Sequence, residues 1–421
     1  MRFYKKRFIL SLVFIGFCYV CYIALIGNIP LNDLEMPRKH YDILWTKKSE
    51  KLVLQFHQHS YDPSKVYSNP DDPYHDRILE QMHFVPNSYD PFRSSEKIIY
   101  MFDGLGDLPS GREKFVFDKC PVDNCVLTDD SIKMSDADAV FFKDSYAGDF
   151  VKDRNPDQIW ILYMLESPFH TPDLTTFNGL INWTATYRWD STLTAPYERF
   201  TLHKNISMNK LNTRNYANGK KKKVAWFVSN CGAMNQRLEY AKELAKYIEV
   251  DIFGACGELQ CNSFDEKNSC SKLLQREYKF YLAFENSNCR YYITEKFFRN
   301  ALWNDVLPVV MGAPKVDYEH AAPPNSFIYA EDFETPEHLA NYLHRLDQND
   351  DEYNEYFKWK GTGDLIDTKF FCRLCSLLHD ESATPRYYKD IEKWWRTPLT
   401  CTRDKWSNSS HYITDWTATF Q

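Results

Sequence analysis

The chain has 421 residues, more than the roughly 250–300 at which a single hydrophobic core stops growing, so two domains with additional segments are expected. Hydrophobic residues make up 43% of the sequence, aromatic residues 16% and charged residues 26%, which excludes a disordered chain and predicts folded domains. The formal net charge is −7, and four of the 51 basic residues lie in the first seven positions. The rest of the chain is therefore acidic, which argues against a protein that binds nucleic acid.

The N-terminus has the pattern of a membrane anchor. Residues 8–26 are apolar except for Ser11 and Gly16, and they are long enough to cross a hydrocarbon core as a helix. A cleaved signal peptide is the alternative, but its apolar region is shorter, and no small-x-small cleavage site precedes Asn28. Because the basic residues come before the span, the sequence predicts a type II membrane protein with a lumenal body. Its segments are a cytoplasmic tail (1–7), a signal anchor (8–27) and a stem (28–96).

The cysteines and sequons are compatible with a lumenal body. Two of the 12 cysteines lie in the predicted span, and the other ten form an even set, as in disulfide-bonded proteins of an oxidising compartment. We expect short-range disulfides between Cys120 and Cys125 and between Cys372 and Cys375, and leave the other pairs open. A redox role for the second pair lacks a thioredoxin-like context, and a zinc site lacks a second pair at ligand spacing. The candidate glycosylation sites are Asn182, Asn205 and Asn408.

Short apolar segments rich in β-branched and aromatic residues predict the strands of a first domain. These strands are expected at 97–103, 137–143 and 158–166. The basic run that follows at 218–223 is interpreted as a solvated linker. The predicted boundaries are an N-terminal domain (97–220), a C-terminal domain (221–360) and a tail with the CxxC pair (361–421).

The second half alternates between strand and helix patterns. Strands are predicted at 224–229, 250–254, 278–284, 306–312 and 327–330, and helices at 237–248 and from Thr294. A further helix begins with Thr335 as N-cap, Pro336 at the first helical position and Glu337 in the first turn. This alternation predicts an α/β protein with two Rossmann-like, doubly wound domains on either side of a cleft.

In such folds, ligands bind beyond the carboxyl ends of the strands. This rule selects a small set of polar residues before any other consideration. They are Glu166 in the first half, and Ser229, Asn230, Glu285, Asn286, Ser287, Tyr292, Glu295 and Lys296 in the second.

Lys296 and Arg237 are candidate ligands of a phosphate or diphosphate. Each lies in the first turn of a predicted helix, where a cation adds to the unsatisfied N–H groups of that turn. Together they would stabilise a diphosphate leaving group without a metal ion; the alternative is that both are solvated surface residues. Glu166, in a turn beyond a buried strand, has the position of a general base, although a loop Glu often only caps or pairs.

Metal and cofactor motifs have little support in the sequence. Asp136 and Asp138 are spaced like a dicarboxylate that holds manganese and a nucleotide sugar, but Asp138 precedes a predicted strand, whereas ligands belong at the other end. The glycine-rich turn from Asp103 to Asp107 follows a strand but is a weak motif by itself. Because neither GxGxxG nor GxxxxGK[ST] occurs, hydride transfer and ATP chemistry are not supported.

Several blocks of the sequence resemble the α1,3-fucosyltransferases of glycosyltransferase family ten. The longest is FYLAFENSNCRYYITEKFFRNAL at 280–302, and others are WFVSNCGA at 226–233, LESPFHTP at 165–172 and TYRWDS at 186–191. The resemblance implies a GT-B-like fold in a type II Golgi membrane protein. It also implies inverting transfer of L-fucose from GDP-β-L-fucose to the 3-hydroxyl of GlcNAc on a glycoprotein glycan.

The resemblance implies roles for the selected residues. Glu166 corresponds to the general base that deprotonates the acceptor hydroxyl, and Arg237 and Lys296 would bind the diphosphate. The other implied donor-binding residues are Ser229, Asn230, Asn286, Tyr292 and Glu295. No cofactor is required, and stimulation by a divalent cation such as Mn²⁺ is left open. One departure is Tyr291, where the family usually has Asp.

Two further motifs indicate which acceptor glycan the protein uses. The blocks SNCGA at 229–233 and FGACGELQC at 253–261 look more like the invertebrate and plant members that fucosylate the innermost GlcNAc of N-glycans than like the Lewis-type enzymes. Core fucosylation is therefore the expected activity. The alternatives are fucosylation of outer-arm LacNAc or LacdiNAc and, because of Tyr291, an inactive relative that binds glycan or GDP.

Overall fold

The computed structural model describes residues 62–67, 75–143, 154–203, 214–261, 269–398 and 400–403, which belong to one compact unit. The predicted membrane span at 8–26 and the sequons at Asn205 and Asn408 lie outside these residues. Within the described ranges, no helix is both long enough and apolar enough to cross a membrane.

The first sheet has six parallel strands in the order β2-β1-β3-β4-β5-β6. The strands are β1 (Lys97–Met101), β2 (Cys125–Thr128), β3 (Ala139–Lys143), β4 (Ile159–Met164), β5 (Trp183–Thr186) and β6 (Leu193–Thr194). The predicted strands correspond to β1, β3 and β4. Strand β5 is not predicted from the sequence, because two of its four buried residues are threonines and it lacks a run of apolar residues.

Two short helices, α1 (Ile78–His83) and α2 (Glu113–Phe117), accompany the first sheet. We call the first sheet with these helices the first half of the molecule, and the second sheet with its helices the second half. The predicted stem (28–96) includes α1, yet the side chain of Gln81 in this helix is fully buried and donates to Thr192 O at 3.0 Å. Arg77 is also buried and donates to the carbonyls of Trp189 and Ser191 at 2.5 and 2.6 Å. This polar part of the predicted stem is therefore packed against the first half by hydrogen bonds.

The second sheet has five parallel strands in the order β13-β12-β10-β8-β9. The strands are β8 (Lys222–Phe227), β9 (Val250–Phe253), β10 (Tyr278–Phe284), β12 (Leu307–Met311) and β13 (Ile328–Tyr329). The helices are α3 (Arg237–Leu244), α4 (Cys270–Glu277), α5 (Lys315–Ala321), α6 (Pro336–Gln348) and α7 (Asp350–Glu355). The two parallel sheets with intervening helices confirm the mixed α/β prediction, and Thr335 Oγ1 caps α6 by accepting from His338 N–H at 3.2 Å.

A helix follows Thr294 as expected, but it is π-helical (Lys296–Ala301) and continues as a 3₁₀ turn (Leu302–Asn304). One local expectation for the second half is wrong. The basic run is not a solvated linker, because Lys220 is buried and Lys222 lies in β8 and pairs with Asp251 at 2.6 Å. These lysines are held by acidic residues of the second half, which a reading of charge alone does not predict.

The chain after the second sheet returns to the first half. An antiparallel pair joins β7 (Arg199–Leu202) to β14 (Gly363–Ile366), and a second joins β11 (Asn288–Cys289) to β15 (Cys401–Thr402). Helices α8 (Phe370–Leu378) and α9 (Ile391–Trp395) then pack into the cores on the two faces of the first sheet. The domain boundaries given above stay a prediction.

Disulfides join all ten cysteines outside the predicted span, which confirms the even set. The two expected short-range pairs are wrong. Cys372 and Cys375 lie three residues apart on α8, and Cβ atoms at that spacing are about 5–6 Å apart on a helix, too far for a disulfide. The observed pairs are Cys120 with Cys372, Cys125 with Cys375, Cys231 with Cys256, Cys261 with Cys270, and Cys289 with Cys401.

Candidate active site

The candidate site lies where the carboxyl ends of β4 and β10 face each other. Glu166 follows β4 by two residues, and Asn286 follows β10 by two residues. The hydroxyls of Ser167 and Ser287, both buried, are 2.8 Å apart and join the two loops. The sheet-edge rule therefore brings residues from both halves into one site, as the sequence predicts.

Three donors converge on one oxygen of the Glu166 carboxylate. Oε1 accepts hydrogen bonds from Tyr292 Oη at 2.6 Å, from the Ser167 N–H at 2.8 Å and from Asn286 Nδ2 at 3.2 Å. Among the residues that the structure describes, no hydrogen bond or ion pair uses the other oxygen, Oε2. The carboxylate is therefore fixed through one oxygen, and the second can accept a proton.

The protonation state of Glu166 follows from the same contacts. Burial raises the pKa of this carboxyl, but the hydrogen bonds from Tyr292, the Ser167 N–H and Asn286 outweigh burial and lower the pKa below its usual value. Burial and the nearby carboxylates raise the pKa of Tyr292 far above its usual value, so its hydroxyl stays protonated. Glu166 is thus ionised at neutral pH, with a permanent donor on Oε1.

Glu285 and Lys296 form the buried centre of the second half of the site. Glu285 is 0% exposed and accepts from the Thr294 N–H at 2.8 Å and from Lys296 Nζ at 3.0 Å. Burial raises the pKa of Glu285, and Lys296 opposes this shift. Gly312 lies against this carboxylate with φ +131°, and a Cβ there would approach Glu285 Cβ to 2.7 Å. The ion pair thus occupies a close-packed position.

The ammonium of Lys296 has further acidic surroundings. Burial lowers its pKa, but the carboxylates of Glu285 and Glu295 outweigh burial, and the net pKa is raised. Its Nζ is 3.2 Å from Glu295 Oε1, and the side chain of Glu295 is 43% exposed. Lys296 is therefore a charged, partly buried residue that pairs with two carboxylates, and the interpretation as a solvated surface lysine does not hold.

Arg237 is held against the end of β10. Its NH1 donates to Phe284 O at 2.6 Å, and its NH2 donates to Asn230 O at 3.2 Å. Its buried Nε has no hydrogen-bond partner among the described residues. Phe284 directly precedes Glu285, the partner of Lys296, so both cations are held at the end of β10. A buried guanidinium N–H without a partner is suited to an oxygen of an anionic ligand.

The remaining predicted donor-binding residues are less closely connected. Ser229 and Asn230 are exposed after β8, and the contact of Asn230 with Arg237 uses only its backbone carbonyl. The side-chain oxygen of Asn230 accepts from the Gly232 N–H at 3.2 Å. Their part in ligand binding stays a prediction.

Tyr291 lies on the side of the site that faces the first half. Its ring stacks on Trp189 with centroids 5.1 Å apart, and its backbone has φ +61°. The Tyr291 N–H donates to Asp317 at 2.6 Å, and Asp317 is fully buried in an ion pair with Arg290. The departure at this position thus supplies an aromatic contact between the two halves.

The described sequon residue and the acidic motif near β3 both have structural partners. Asn182 Oδ1 accepts from the Trp160 N–H at 2.9 Å, and its Nδ2 donates to Arg386 O at 3.1 Å. Asp138 accepts from Lys97 Nζ at 2.9 Å at the start of β3, as its position in the sequence indicates. Glycosylation of Asn182, like that of the other two sequons, stays a prediction.

One group of potential metal ligands occurs among the described residues. It consists of Cys125, Cys375 and His379. The two cysteines are bonded to each other, so their sulfur atoms are not available as thiolate ligands.

Two features of the site do not follow from the sequence. Glu285 lies at a predicted strand end without a predicted role, and in the structure it is the partner of Lys296. Tyr292 is expected to bind the donor, which stays a prediction, and the structure adds a hydrogen bond from its hydroxyl to Glu166. These pairings depend on how the two halves meet, which local sequence patterns do not reveal.

Comparison with known proteins identifies the family. Residues 217–394 match "Glycosyltransferase family 10 (fucosyltransferase) C-term", and residues 94–198 match "Fucosyltransferase, N-terminal". The chain is 48% identical to glycoprotein 3-alpha-L-fucosyltransferase A of Drosophila melanogaster, over 82% of this chain and 72% of that protein. It is 34% identical to alpha-(1,3)-fucosyltransferase 7 of Bos taurus, over 65% of this chain and 79% of that protein.

Among solved structures, the chain is similar to a crystal structure of an alpha1,3-fucosyltransferase with GDP-fucose. The sequence identity is 17%, the TM-score is 0.43, and the match covers 78% of this chain and all of that one. The sequence matches decide the relationship: the chain belongs to glycosyltransferase family 10, the fucosyltransferases. It is therefore a glycosyltransferase.

Proposed function

We propose that this protein is an α1,3-fucosyltransferase that transfers L-fucose from GDP-β-L-fucose to the 3-hydroxyl of GlcNAc in N-glycans, with the innermost GlcNAc favoured. The observation that carries the proposal is the Glu166 carboxylate, held through one oxygen by donors that include Tyr292 and Asn286 of the second half. The family relationship supports fucosyl transfer.

The proposed reaction is a single displacement with inversion at C1 of fucose. Oε2 of Glu166 accepts the proton of the acceptor hydroxyl while the acceptor oxygen forms its bond to C1. The bond from C1 to the diphosphate oxygen breaks, and its electron pair leaves with GDP. Because negative charge grows on the diphosphate, cations beside it bind the transition state more tightly than the ground state.

We assign the binding of the diphosphate to Arg237 and Lys296. Arg237 offers a buried Nε–H that lacks a partner among the described residues, and Lys296 offers an ammonium on a partly buried side chain that is 17% exposed. Glu285 pairs with Lys296, and Glu295, which is half-exposed, lies beside the same ammonium. We further assign Ser229, Asn230, Asn286, Tyr292 and Glu295 to the donor side of the cleft.

The acceptor and the cellular location are further parts of the proposal. The name of the Drosophila relative specifies a glycoprotein acceptor, which supports N-glycans of glycoproteins as substrates. Fucosylation of outer-arm LacNAc or LacdiNAc is the alternative acceptor choice. The apolar segment at 8–26 and the basic residues before it support a type II protein of the Golgi membrane with its body in the lumen.

We propose that transfer requires no cofactor. Two protein cations supply the positive charge that a metal ion supplies in other transferases. Assays with a chelator and with added Mn²⁺ test this point: activity that persists with the chelator supports it, and activity that appears only with Mn²⁺ contradicts it.

The proposed function is tested with the purified lumenal part, GDP-fucose, and N-glycan acceptors with and without outer arms. Mass spectrometry with linkage analysis should find α1,3-linked fucose on the innermost GlcNAc. Fucose on an outer arm would overturn the acceptor assignment alone. Absence of transfer to any acceptor would overturn the proposed function.

The second candidate, an inactive relative that binds glycan or GDP, rests on Tyr291. In that case GDP would bind without turnover, and Tyr291→Asp would restore transfer. We favour the enzyme, because the ring of Tyr291 stacks on Trp189 and the contacts of Glu166 do not depend on it. An active wild-type protein excludes this candidate.

A further inference from the structure

A segment near the C-terminus packs against the loop that begins with Glu166. We call residues 391–398 and 400–403 the C-terminal segment; all but its first four residues lie beyond the match to the family, which ends at residue 394. Its helix, α9, contributes Trp395, whose Nε1 donates to Thr171 Oγ1 at 2.8 Å. The helix also contributes Glu392, whose Oε2 accepts from the Leu174 N–H at 2.8 Å.

Arg396 makes most of the contacts with this loop. Its Nε donates to Pro168 O at 3.1 Å, and its NH2 donates to Thr171 O and Pro172 O, both at 2.7 Å. Its NH1 also pairs with Glu392 within the segment. One guanidinium therefore binds three backbone carbonyls of the loop, those of Pro168, Thr171 and Pro172. Pro168 is only two residues from Glu166. A planar guanidinium fixes several carbonyls in one geometry, which a lysine ammonium does less well.

The other end of the C-terminal segment holds the loop that carries Tyr292. Cys401 is disulfide-bonded to Cys289, and the two residues are paired across β11 and β15. The Arg290 N–H donates to Thr400 O at 2.8 Å. The segment therefore contacts both loops whose side chains meet in the hydrogen bond between Tyr292 and Glu166.

Arg188 ties the middle of the segment to the first half. This buried residue donates to Trp394 O at 2.7 Å, and its guanidinium lies 4.3 Å from the centroid of the Trp394 ring. The segment is thus anchored independently of the two loops, as a rigid support requires.

We propose that the C-terminal segment is a positioning element for the reaction, with Arg396 as its positioning residue, which keeps Glu166 within hydrogen-bond distance of Tyr292. This inference rests on the proposed function. Within the described part of the chain, Arg396 makes no hydrogen bond or ion pair with Glu166; it acts through the carbonyls of the loop. Loss of these contacts allows the loop to move, and a displacement of about 1 Å at a reacting group can cost on the order of 100-fold in rate.

The test is Arg396→Gln, with kcat, the KM for GDP-fucose and the pH profile of kcat/KM measured beside wild type. This variant does not replace any of the other residues whose charge or dipole acts on Glu166. These residues are His170 on the same loop, Tyr187 and Tyr197 in the first half, and Arg237 and Tyr292 in the second half. We expect kcat to fall about 10–100-fold while the KM for the donor stays within about twofold of wild type. The acid limb should move to higher pH, because Glu166 loses the hydrogen bond from Tyr292 to its Oε1. The kcat and the acid limb of Arg396→Lys should lie between those of wild type and those of Arg396→Gln.

The matched control is Arg345→Gln, which removes an exposed guanidinium of α6 that pairs with Glu352 of α7. We expect it to keep the kinetics of wild type. A folded Arg396→Gln with wild-type kcat and an unmoved acid limb overturns the inference, even if its melting temperature is lower. If Arg396→Gln does not fold, Glu392→Ala decides by the same measurements, since it removes the contacts with Leu174 and Arg396. Inactive wild-type protein would instead count against the proposed function.

Discussion

The hydrogen bond between Tyr292 and Glu166 offers the sharpest single perturbation of the site. Tyr292→Phe removes only the hydroxyl that lies 2.6 Å from Oε1 and keeps the ring that packs on Tyr187 at 5.2 Å. Glu166 keeps two donors, the Ser167 N–H and Asn286 Nδ2. The variant therefore tests one contact without removing the carboxylate or opening a large cavity.

The size of the effect follows from the charge on Glu166. A hydrogen bond to a charged group contributes about 1.5–3 kcal/mol, and one pKa unit corresponds to about 1.36 kcal/mol. Because this contact is the strongest of those that lower the pKa of Glu166, its loss should raise that pKa by about one to two units. Glu166 is needed as the ionised base, so activity is lost as the pH falls through its pKa. The acid limb of the variant should therefore lie about one to two pH units above that of wild type.

The assay is the pH dependence of kcat/KM for fucosyl transfer, whose acid limb reports the pKa of Glu166 in the free enzyme. Tyr353→Phe is the matched control, since its buried hydroxyl donates at 2.6 Å to Lys279 O at the opposite end of β10. The control should lose stability but keep the acid limb of wild type. An acid limb of Tyr292→Phe that is unmoved or shifted to lower pH would refute the reasoning about Glu166.

Two other predictions concern the buried ion pair and the disulfides. Lys296→Met leaves Glu285 buried without its partner and should destabilise the fold by about 3–5 kcal/mol, whereas the double variant with Glu285→Gln should regain much of that stability without regaining activity. Urea unfolding measures this, and a Lys296→Met variant as stable as wild type would contradict the pairing. Peptide mapping without reduction should recover Cys120 linked to Cys372. Recovery of Cys120 linked to Cys125 would contradict the observed connectivity.

The sequence predicts the architecture well where apolar runs and strand ends are distinct. The alternation of strands and helices in the second half, the cap at Thr335 and the location of Glu166 beyond a buried strand all agree with the structure. Each depends on residues close together in the chain, for which periodicity and capping rules apply directly.

Contacts between distant parts of the chain were not predictable in this way. Cys120 and Cys372 are 252 residues apart, and their pairing requires α8 to return to the edge of the first sheet. The role of Arg396 depends equally on the return of the C-terminal segment to the Glu166 loop. The buried, hydrogen-bonded polar residues of α1 resemble a solvated stem in sequence, because composition does not reveal which polar groups find partners.

The role of Glu166 as the base is tested most directly by comparing fucosyl transfer by wild type and by Glu166→Gln. Transfer is measured with GDP-fucose and an N-glycan acceptor at neutral pH. Gln keeps an oxygen for the three donors on Oε1 but presents an amide that cannot take a proton. The account predicts α1,3-linked fucose from wild type and a kcat lower by about 10²–10⁴ in the variant, with binding of GDP retained. A Glu166→Gln variant that transfers fucose at the wild-type rate would contradict the central claim that Glu166 is the base.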